Sequence, residues 1–434
     1  MIKKFTLLLL AMLCIAGTSK ADPKLVFVGP CALDYSGNLI IPRSTFSGIT
    51  AGTKITMIVN SDAYCKLVIP TGSWSALKEE NASSKKFEYT ILAEDLSGLT
   101  TYGLCVQGDP TLLALYLGDE NGVVEKKSGI DHVFSSGWES PLDFNETNAG
   151  IDPKTINIGD KLSFDVVPAG GTDWAPLAIQ SKDTWRSVQV NTVGETSVSL
   201  YVDFDLYSIL HSTSGCQFTG EKYTLNKVSY ADNKCGSSTV SFKRTYNAEW
   251  NSLCLPFNTN VSQISANATL YSLSSLSGED ITFTKVEGGA ISAGVPYMLW
   301  NSGEELSPTI DADLTTVAIV SSTEDVSGLN MCGNYTPEMD MNDKWGIVKK
   351  EGVWKVMKGS PGAKLKPFCA YFEYNKGVGV RGFFISSADG TTSINSTLYQ
   401  VEPSDNQYYN LQGMPVTNPS KGLYILNGKK VIIK

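Results

Sequence analysis

The chain has 434 residues, of which 42% are hydrophobic and 18% are charged, and its formal net charge is −9. This length and apolar content can supply several cores, and about three domains are expected at roughly 100–200 residues each. The low negative charge argues against nucleic acid as a partner, because a basic surface supplies most of the affinity for nucleic acid.

The N-terminus, residues 1–21, has the pattern of a secretory signal. Lys3 and Lys4 precede an apolar segment, residues 5–15, that is too short to span a bilayer. Residues 19–21 form a small-x-small cleavage site, so the mature chain is expected to begin at Asp22.

Two further features of the sequence bear on the cellular location. Cys14 suggests a lipidated cysteine as an alternative, but Leu13 stands before it, where lipidation needs a small residue. No later segment reaches 18 consecutive apolar residues. We therefore expect no transmembrane segment in the mature chain, and a secreted or outer-surface location.

The first 240 residues of the sequence contain an internal repeat. An apolar strand pattern, a turn and a Trp occur at residues 174–185 and again at 64–74. Other loosely matched blocks keep the same order: 33–35 with 142–144, 52–59 with 159–166, 103–108 with 215–220, and 113–121 with 225–233. The period exceeds the 20–50 residues of a solenoid unit, so the pattern predicts a duplicated domain.

The patterning is that of β structure. Apolar and polar residues alternate at 54–60, 87–91, 162–166 and 198–202, and turn residues recur every 8–12 positions. This spacing predicts an all-β chain with tandem antiparallel β-sandwich (jelly-roll-like) domains. A single helical turn is expected at residues 92–96.

The rest of the chain also has β character. One hairpin is expected around residues 345–356, turning at Glu351 and Gly352, and another in the tail around Asn427 and Gly428. The predicted division is a signal peptide (1–21), sandwich repeats (22–128 and 129–240), a C-terminal β domain (241–388), and a linker with a hairpin tail (389–434).

Cysteine and histidine offer little chemistry. Nine Cys are present, and the eight outside the signal allow 105 disulfide pairings, so connectivity is not readable. Cys254 and Cys369 lie in apolar runs and are interpreted as small buried residues. The sequence has no Cys-x-x-Cys and only two His, His132 and His211. Few residues are therefore present that could form a zinc site or a His-dependent catalytic triad.

Four tryptophans of the repeats are the candidate ligand-binding residues: Trp74, Trp138, Trp174 and Trp185. A sugar ring presents an apolar C–H face that can stack on an indole, and Trp tolerates a wet rim. The alternative is that these side chains pack in the sandwich cores or cover their ends.

Two carboxylate pairs are candidates for glycoside hydrolysis, which needs two facing carboxyl groups roughly 5–10 Å apart. Glu139 with Asp143, or Asp203 with Asp205 on one strand face, are the candidates. The second pair could equally be solvated or hold Ca²⁺. No nucleophile, phosphate-loop or dinucleotide motif is present, so we expect no enzyme and no cofactor.

Four segments of the C-terminal region resemble a known family, and the resemblance indicates the type of organism and the cellular location. Residues 250–257, 293–297, 367–372 and 422–431 resemble a module common in secreted surface proteins of anaerobic Gram-negative gut and oral bacteria. The last piece also resembles the sorting hairpin of type IX secretion cargo, although it is shorter than the usual domain. The resemblance implies that this C-terminal region is non-catalytic and follows adhesin, repeat or glycan-active modules in the chain.

The two repeats resemble carbohydrate-binding domains of the jelly-roll type. The resemblance is carried by the strands that begin at Gly52 and Gly159, the strand-then-Trp blocks, and the strands after Gly103 and Gly215. The leading hypothesis is non-catalytic binding of a polysaccharide or glycoconjugate at the cell surface, with avidity from the tandem copies. The alternatives are cell adhesion to a host or bacterial protein, and a glycoside hydrolase with an unrecognised carboxylate pair.

Overall fold

The computed structural model describes residues 22–387 except 38, 72–73, 136–137, 237, 351 and 376–381. In the tail it describes residues 408–409, 415–417, 419–426 and 429–433. The predicted signal peptide with Cys14, most of the linker, and the turn residues Glu351, Asn427 and Gly428 lie outside the described residues.

The first repeat is a two-sheet sandwich. Its strands are β1 (Lys24–Ala32), β2 (Ile40–Ile41), β3 (Lys54–Val59), β4 (Tyr64–Ile69), β5 (Ser75–Asn81), β6 (Lys86–Thr90), β7 (Leu104–Gly108) and β8 (Thr111–Leu117). The front sheet contains the order β1-β8-β3-β6, and the back sheet has the order β2-β7-β4-β5. This is the eight-stranded jelly-roll arrangement.

The second repeat has the same topology. Its strands are β9 (Val124–Phe134), β10 (Leu142–Phe144), β11 (Lys161–Pro168), β12 (Pro176–Ser181), β13 (Ser187–Asn191), β14 (Ser197–Tyr201), β15 (Cys216–Gly220) and β16 (Tyr223–Ala231). The front sheet is β9-β16-β11-β14 and the back sheet is β10-β15-β12-β13. Strands β9 to β16 occupy the same positions in the second sandwich as β1 to β8 do in the first. The predicted all-β, tandem-sandwich fold class is confirmed.

Glycines at matched positions explain why the repeat was visible in the sequence. Gly52 and Gly159 precede β3 and β11 with φ of 90° and 89°, and Gly103 and Gly215 precede β7 and β15 with φ of 82° and 86°. Such positive φ values favour glycine strongly, so these positions are constrained in both copies.

One of the matched blocks was wrong. Ile41 pairs with Leu104 and Phe144 pairs with Cys216, which makes Leu142–Phe144 the counterpart of residues 39–41. Residues 33–35 instead lie in the loop between β1 and β2. Chance similarity between two Leu-Asp-aromatic triplets produced the false match.

The helices are short. They are α1 (Asp95–Tyr102), α2 (Glu146–Ala149), α3 (Phe204–Leu210) and α4 (Val261–Ile264), with 3-10 turns at Arg43–Phe46, Pro153–Thr155, Glu287–Gly289 and Leu314–Thr316. The helical turn expected at residues 92–96 corresponds to α1, which begins at Asp95. Its counterpart α3 was not predicted, because its Asp203 and Asp205 were interpreted as strand residues.

The C-terminal part contains the remaining strands. They are β17 (Thr239–Lys243), β18 (Glu249–Cys254), β19 (Thr259–Asn260), β20 (Ala268–Ser277), β21 (Asp280–Lys285), β22 (Ala290–Ile291), β23 (Pro296–Asn301), β24 (Thr309–Asp313), β25 (Leu329–Asn334), β26 (Met339–Asp340), β27 (Trp345–Lys350), β28 (Val353–Lys358), β29 (Lys364–Leu365), β30 (Cys369–Tyr374) and β31 (Phe383–Ser387).

Most of these strands form one nine-stranded sheet, in the order β18-β23-β20-β21-β31-β28-β27-β30-β25. The sheet curls around an aromatic core that includes Trp250, Phe283 and Phe372. Its first strand approaches the strand next to its other edge, since Ala370 N donates to Ser252 Oγ at 3.1 Å. The hairpin β27–β28 is present as predicted, with Lys350 opposite Val353.

Two strands of this part belong to the first sandwich. β17 pairs in parallel with β1, with Phe27 opposite Ser241, and β24 pairs with β17. The front sheet of the first sandwich is therefore six-stranded, in the order β24-β17-β1-β8-β3-β6. The domain bounds that the sequence suggests stay predictions.

A joint core connects the two sandwiches to the C-terminal part. It includes Tyr116 of the first sandwich, Phe204 of the second, and Phe242, Phe257 and Phe368 of the C-terminal part. The Tyr116 hydroxyl also donates to the Gly159 carbonyl at 2.6 Å, which ties the first sandwich to the second. Separate cores fill each sandwich interior.

The tail forms a small antiparallel sheet of four strands. They are β32 (Tyr408–Tyr409), β33 (Pro415–Val416), β34 (Gly422–Leu426) and β35 (Lys429–Ile433). Leu426 lies opposite Lys429, which is the register of a two-residue hairpin turn and confirms the expected closing hairpin. In the part of the chain that the structure describes, no helix has the length and apolarity needed to cross a bilayer.

Candidate carbohydrate-binding surfaces

The four candidate tryptophans are all exposed. The exposed fractions are 46% for Trp74, 37% for Trp138, 51% for Trp174 and 67% for Trp185. The tryptophans of the C-terminal part are placed differently, since Trp250 and Trp345 are buried and Trp300 and Trp354 are half-buried. Neither sandwich core contains an indole. The alternative that these tryptophans fill the sandwich cores is therefore wrong.

Trp174 and Trp185 do not share one site. Trp174 lies two residues before β12, and Trp185 lies in the turn after it. A six-residue strand extends roughly 17–20 Å at about 3.3 Å per residue. The two side chains therefore start from opposite ends of the second sandwich.

Trp138 and Trp174 lie at the same end of the second sandwich. Phe134, at the end of β9, pairs with Tyr223, which also pairs with Pro168 at the end of β11. The loops that leave these two strands, residues 135–141 and 169–175, carry Trp138 and Trp174 respectively. We call this the Trp138–Trp174 end. The Thr172 hydroxyl, which donates to the Trp174 carbonyl at 2.8 Å, holds the second loop.

Trp74 and Trp185 occupy equivalent turns. Trp74 precedes β5 and Trp185 lies just before β13, and both have positive φ, at 49° and 59°. Positive φ in a bulky residue is a genuine outlier, with a cost on the order of 1–2 kcal/mol. Trp138, with φ of 63°, shares this feature.

The two turns differ in what surrounds the indole. The ring of Trp74 lies against Gly37 so closely that a Cβ added there would come within 2.7 Å of it. Trp185 is held through its backbone, because its N–H donates to the Ser181 carbonyl at 3.1 Å and its carbonyl accepts from Gln180 Nε2 at 3.2 Å. Trp74 therefore has a packing role, whereas the indole of Trp185 is largely presented to solvent.

The residue after Trp185 anchors this turn. Arg186 forms an ion pair with Asp205 of α3, and both side chains are largely buried. The Thr336 hydroxyl donates to Asp205 Oδ1 at 3.4 Å, so the pair also contacts the C-terminal part. Burial lowers the pKa of Arg186. The turn that presents Trp185 is thus fixed at a junction of two parts of the molecule.

The carboxylate pair Asp203 and Asp205 was wrongly placed on a strand. Asp203 is the N-cap of α3, and its side chain accepts from Leu206 N at 2.9 Å. Burial raises the pKa of Asp203 to about 6. Asp205 faces Arg186, so the two residues have structural roles, in capping and ion pairing.

The other candidate carboxylate pair, Glu139 with Asp143, lies beside a lysine. Asp143, on β10, forms an ion pair with Lys182 at 2.8 Å, and Glu139 lies exposed in the preceding loop. A general acid for glycoside hydrolysis needs surroundings that favour its neutral form, whereas a neighbouring ammonium favours the charged form.

The described cysteines are unpaired with one another and differ in burial. Cys254 is fully buried, and its thiol pKa is raised to about 12 by burial. All eight described cysteines are free thiols. Among the described residues, no group of three or more His, Cys, Asp and Glu side chains is arranged to hold a metal ion.

A cleft that the sequence did not predict lies between the first sandwich and the C-terminal part. Its volume is about 850 Å³, and its walls come from the end of β1, from residues 243–252, from hairpin β27–β28 and from residues 364–369. Its walls are separated by more than 300 residues of chain, so no local pattern could have indicated it.

Comparisons with known proteins found weak similarity to a solved structure and no match by sequence. No protein-family model and no curated protein matches the chain. Among solved structures, it is similar to SGBP-B of the Bacteroides ovatus mixed-linkage glucan utilization locus, solved in complex with a mixed-linkage heptasaccharide. The identity is 13% and the TM-score 0.20, over 44% of this chain and 54% of that chain. The match spans about half of SGBP-B and does not establish a shared ligand.

Proposed function

We propose that the protein is a secreted, non-catalytic surface protein that binds carbohydrate through exposed tryptophans of its tandem sandwiches. Trp185 carries this proposal. Its indole is 67% exposed and its backbone is at φ 59°. Backbone strain at a residue that gains little packing suggests a role outside folding.

The chemistry of an exposed indole suits a saccharide. Its flat apolar face can stack on the C–H face of a pyranose, while its N–H and the neighbouring polar groups remain available for hydroxyls. Near Trp185, the side chains of Gln180 and Gln217 bond each other at 2.9 Å and Asp183 accepts from Ser214 N at 3.0 Å. These amides and carboxylates are common partners for sugar hydroxyls.

The Trp138–Trp174 end is the second surface of the proposal. Two tryptophans on neighbouring loops there could contact successive sugars of one chain. A molecule with aromatic platforms at both ends of a sandwich would bind a polysaccharide at more than one place, and each contact would raise the effective concentration of the next.

The test is a glycan-array screen of the chain from residue 22 to 434. Trp185→Ala, Trp174→Ala and Trp138→Ala are compared with Tyr102→Ala, a matched control that removes another exposed aromatic, at the end of α1. We expect selective glycan binding that at least one Trp variant weakens about tenfold or more, or roughly 1.4 kcal/mol. Binding to no glycan, or equal binding by all four variants, would contradict the proposal.

Protein adhesion is a second candidate, favoured by one observation. Val133 and Val167 are both exposed and lie in one row of the front sheet, on either side of Thr224. They adjoin the Trp138–Trp174 end and extend its apolar surface, as in a protein-contact patch. Adhesion to a protein that Val133→Ser and Val167→Ser abolish, without any change in glycan binding, would support this candidate.

A further inference from the structure

Two tyrosines meet on the outer face of the back sheet of the first sandwich. Cys65 and Leu67 of β4 point into the sandwich core. Tyr64 and Lys66, at the alternate positions of the strand, therefore face outward. Tyr35, from the loop between β1 and β2, lies beside Tyr64, with ring centroids 6.4 Å apart and ring planes at 38°. The two rings form one aromatic surface, which we call the tyrosine platform, and Tyr35 is 53% exposed on it.

Hydrogen bonds fix both rings of the tyrosine platform. The Tyr35 hydroxyl donates to Asp109 Oδ1 at 3.0 Å, and Gln107 Nε2 donates to the Tyr35 carbonyl at 3.3 Å. The Tyr64 hydroxyl donates to Glu79 Oε2 at 3.0 Å. A ligand that stacks on rings already held in place has little side-chain freedom to remove, so this arrangement is prepared for binding.

The loop that presents Tyr35 is itself supported by its neighbours. Leu33 N, at the start of the loop, donates to the Pro110 carbonyl at 3.0 Å. Farther along, the indole of Trp74 lies against Gly37, two residues after Tyr35. The packing role of Trp74 therefore includes holding the loop that carries one ring of the platform.

The second sandwich builds the same sheet without the platform. β4 pairs with β7 in the register that β12 keeps with β15, so the two back sheets can be compared residue by residue. Pro176 stands at the position of Tyr64 in this comparison. Thr219 stands at the position of Gln107. A sandwich of this topology therefore does not depend on the platform in order to fold, which favours a role in recognition for these side chains.

The shape and charge of the platform restrict its ligand. The two rings touch, so they leave no slot in which a cation could lie between them, and a ligand must lie across both. Asp109 and Glu79 border the rings, and Lys66 pairs with Glu79 at 2.9 Å. These three groups together carry one negative charge, which disfavours an acidic sugar. Their carboxylates accept hydrogen bonds, which suits hydroxyl groups but not proline residues, since proline has no N–H.

We propose that the tyrosine platform binds a neutral oligosaccharide. Its sugar faces stack across Tyr35 and Tyr64, while its hydroxyl groups donate to Asp109 and Glu79. This inference takes the class of ligand from the proposed function and adds a site on the first sandwich that the tryptophan surfaces do not include.

Calorimetric titration of the chain from residue 22 to 434 tests this site. The probes are neutral cellotetraose, laminaritetraose and mannotetraose, with acidic tetragalacturonate and a decaproline peptide for comparison. We expect at least one neutral saccharide to bind. Tyr35→Ala and Tyr64→Ala should each weaken that binding at least about fivefold, on the scale of an aromatic contact. Tyr35→Phe keeps the ring and loses the bond to Asp109, so it should weaken binding less than Tyr35→Ala does.

A matched control removes an exposed tyrosine elsewhere in the same sandwich. Tyr102, at the end of α1, lies before the start of β7, whereas Gln107 lies near the end of that strand. Tyr102→Ala should leave the affinity unchanged. The inference is overturned if no neutral saccharide binds, if tetragalacturonate or decaproline binds as tightly, or if Tyr102→Ala weakens binding as much as Tyr35→Ala.

The tryptophan variants separate this inference from the proposed function. Binding that Trp174→Ala or Trp185→Ala weakens and Tyr35→Ala leaves intact would overturn the inference and keep the proposed function. Binding that only the Tyr35 and Tyr64 variants weaken would support the inference and contradict the tryptophan surfaces. Losses in both sets of variants would support both sites.

Discussion

The two sandwiches share one strand order but differ at the edge of their front sheets. β1 is buried along most of its length, and β17 and β24 extend the sheet beyond it. β9, in the equivalent place, is the last strand of its sheet and is exposed over most of its length. An equivalent strand is thus buried beneath a later part of the chain in one copy and faces solvent in the other.

The open edge carries features that resist further pairing. β9 contains Glu125, Lys126 and Lys127, and its pairing with β16 has two register shifts. Charged residues and bulges are the usual means by which natural edge strands avoid association. The comparison shows that duplication preserved the topology, while only the first copy was incorporated into the joint core through its edge.

The largest loss of stability is expected for a substitution where the C-terminal part extends the first sandwich. Phe242 of β17 is buried, with ring centroids 5.1 Å from Phe257 and 4.8 Å from Phe368. Phe242→Ala should lower the free energy of unfolding by about 3–5 kcal/mol, because it leaves a cavity in the joint core. Val133→Ala, on exposed β9, should change it by less than about 0.5 kcal/mol. Urea unfolding of both variants measures the contrast, and equal losses would refute it.

The second copy has a buried ion pair, Arg186 with Asp205, where Thr336 of the C-terminal part contacts it. Arg186→Met leaves Asp205 buried without its cation, so we expect a loss of about 3 kcal/mol. Lys182→Met breaks the exposed pair with Asp143 and should cost less than about 1 kcal/mol. Chemical denaturation of the two variants compares a buried pair with an exposed one. A loss for Arg186→Met no larger than that for Lys182→Met would show that the buried pair does not stabilise the junction.

A buried carboxyl group distinguishes the second copy from the first. Asp160 follows Gly159, and the matching residue after Gly52 is Thr53. Asp160 accepts from Asn157 N at 2.8 Å and Asn233 N at 2.9 Å, and also from Tyr230. Burial outweighs these hydrogen bonds and raises the pKa of Asp160 to about 6.

The raised pKa predicts a pH dependence with a definite sign. The folded state keeps a proton on Asp160 that the unfolded chain releases near pH 4, so stability falls as pH rises from about 4 to 6. The loss of stability from this group is on the order of 3 kcal/mol. Asp160→Asn should make the dependence shallower in urea unfolding at several pH values. Part of the pH dependence should remain in this variant, because the pKa of Asp203 is also about 6.

A control carboxylate should behave in the opposite way. The pair with Lys358 lowers the pKa of Asp343, so Asp343→Asn cannot remove a fall in stability as pH rises. If Asp160→Asn keeps the full slope between pH 4 and 6, Asp160 is ionised in the folded protein and the predicted burial effect is absent.

The fold was largely predictable where local chemistry specifies it. Gly52 and Gly159 mark the same strand start because their φ values favour glycine, and the hairpin register at Lys350 and Val353 follows from a turn that is visible in the sequence. The exposure of Trp185 could be proposed because its turn recurs at Trp74.

Long-range contacts were not predictable from the same patterns. β17 pairs with β1 at Phe27 and Ser241, more than 200 residues apart, and nothing local in either strand specifies the partner. Asp203 was assigned to a strand because a single capping residue before a two-turn helix gives no periodicity. The cleft depends on how these parts pack, so no local pattern in the sequence indicated its lining residues.

The smallest expected effect concerns the paired turns at Trp74 and Trp185. Trp185→Gly removes a positive-φ cost at a residue that is 67% exposed, so stability should be unchanged or rise by up to about 1 kcal/mol. Trp74→Gly relieves similar strain but loses the packing on Gly37, so it should destabilise by about 1 kcal/mol.

Thermal and urea unfolding of the two glycine variants decide between function and folding at Trp185. A gain or no change for Trp185→Gly, together with lost glycan binding, would show that this indole costs stability and serves recognition. A loss for Trp185→Gly as large as that for Trp74→Gly would assign both tryptophans to folding. Recognition would then rest on the Trp138–Trp174 end, where Trp174 is exposed and is not among the residues with positive φ.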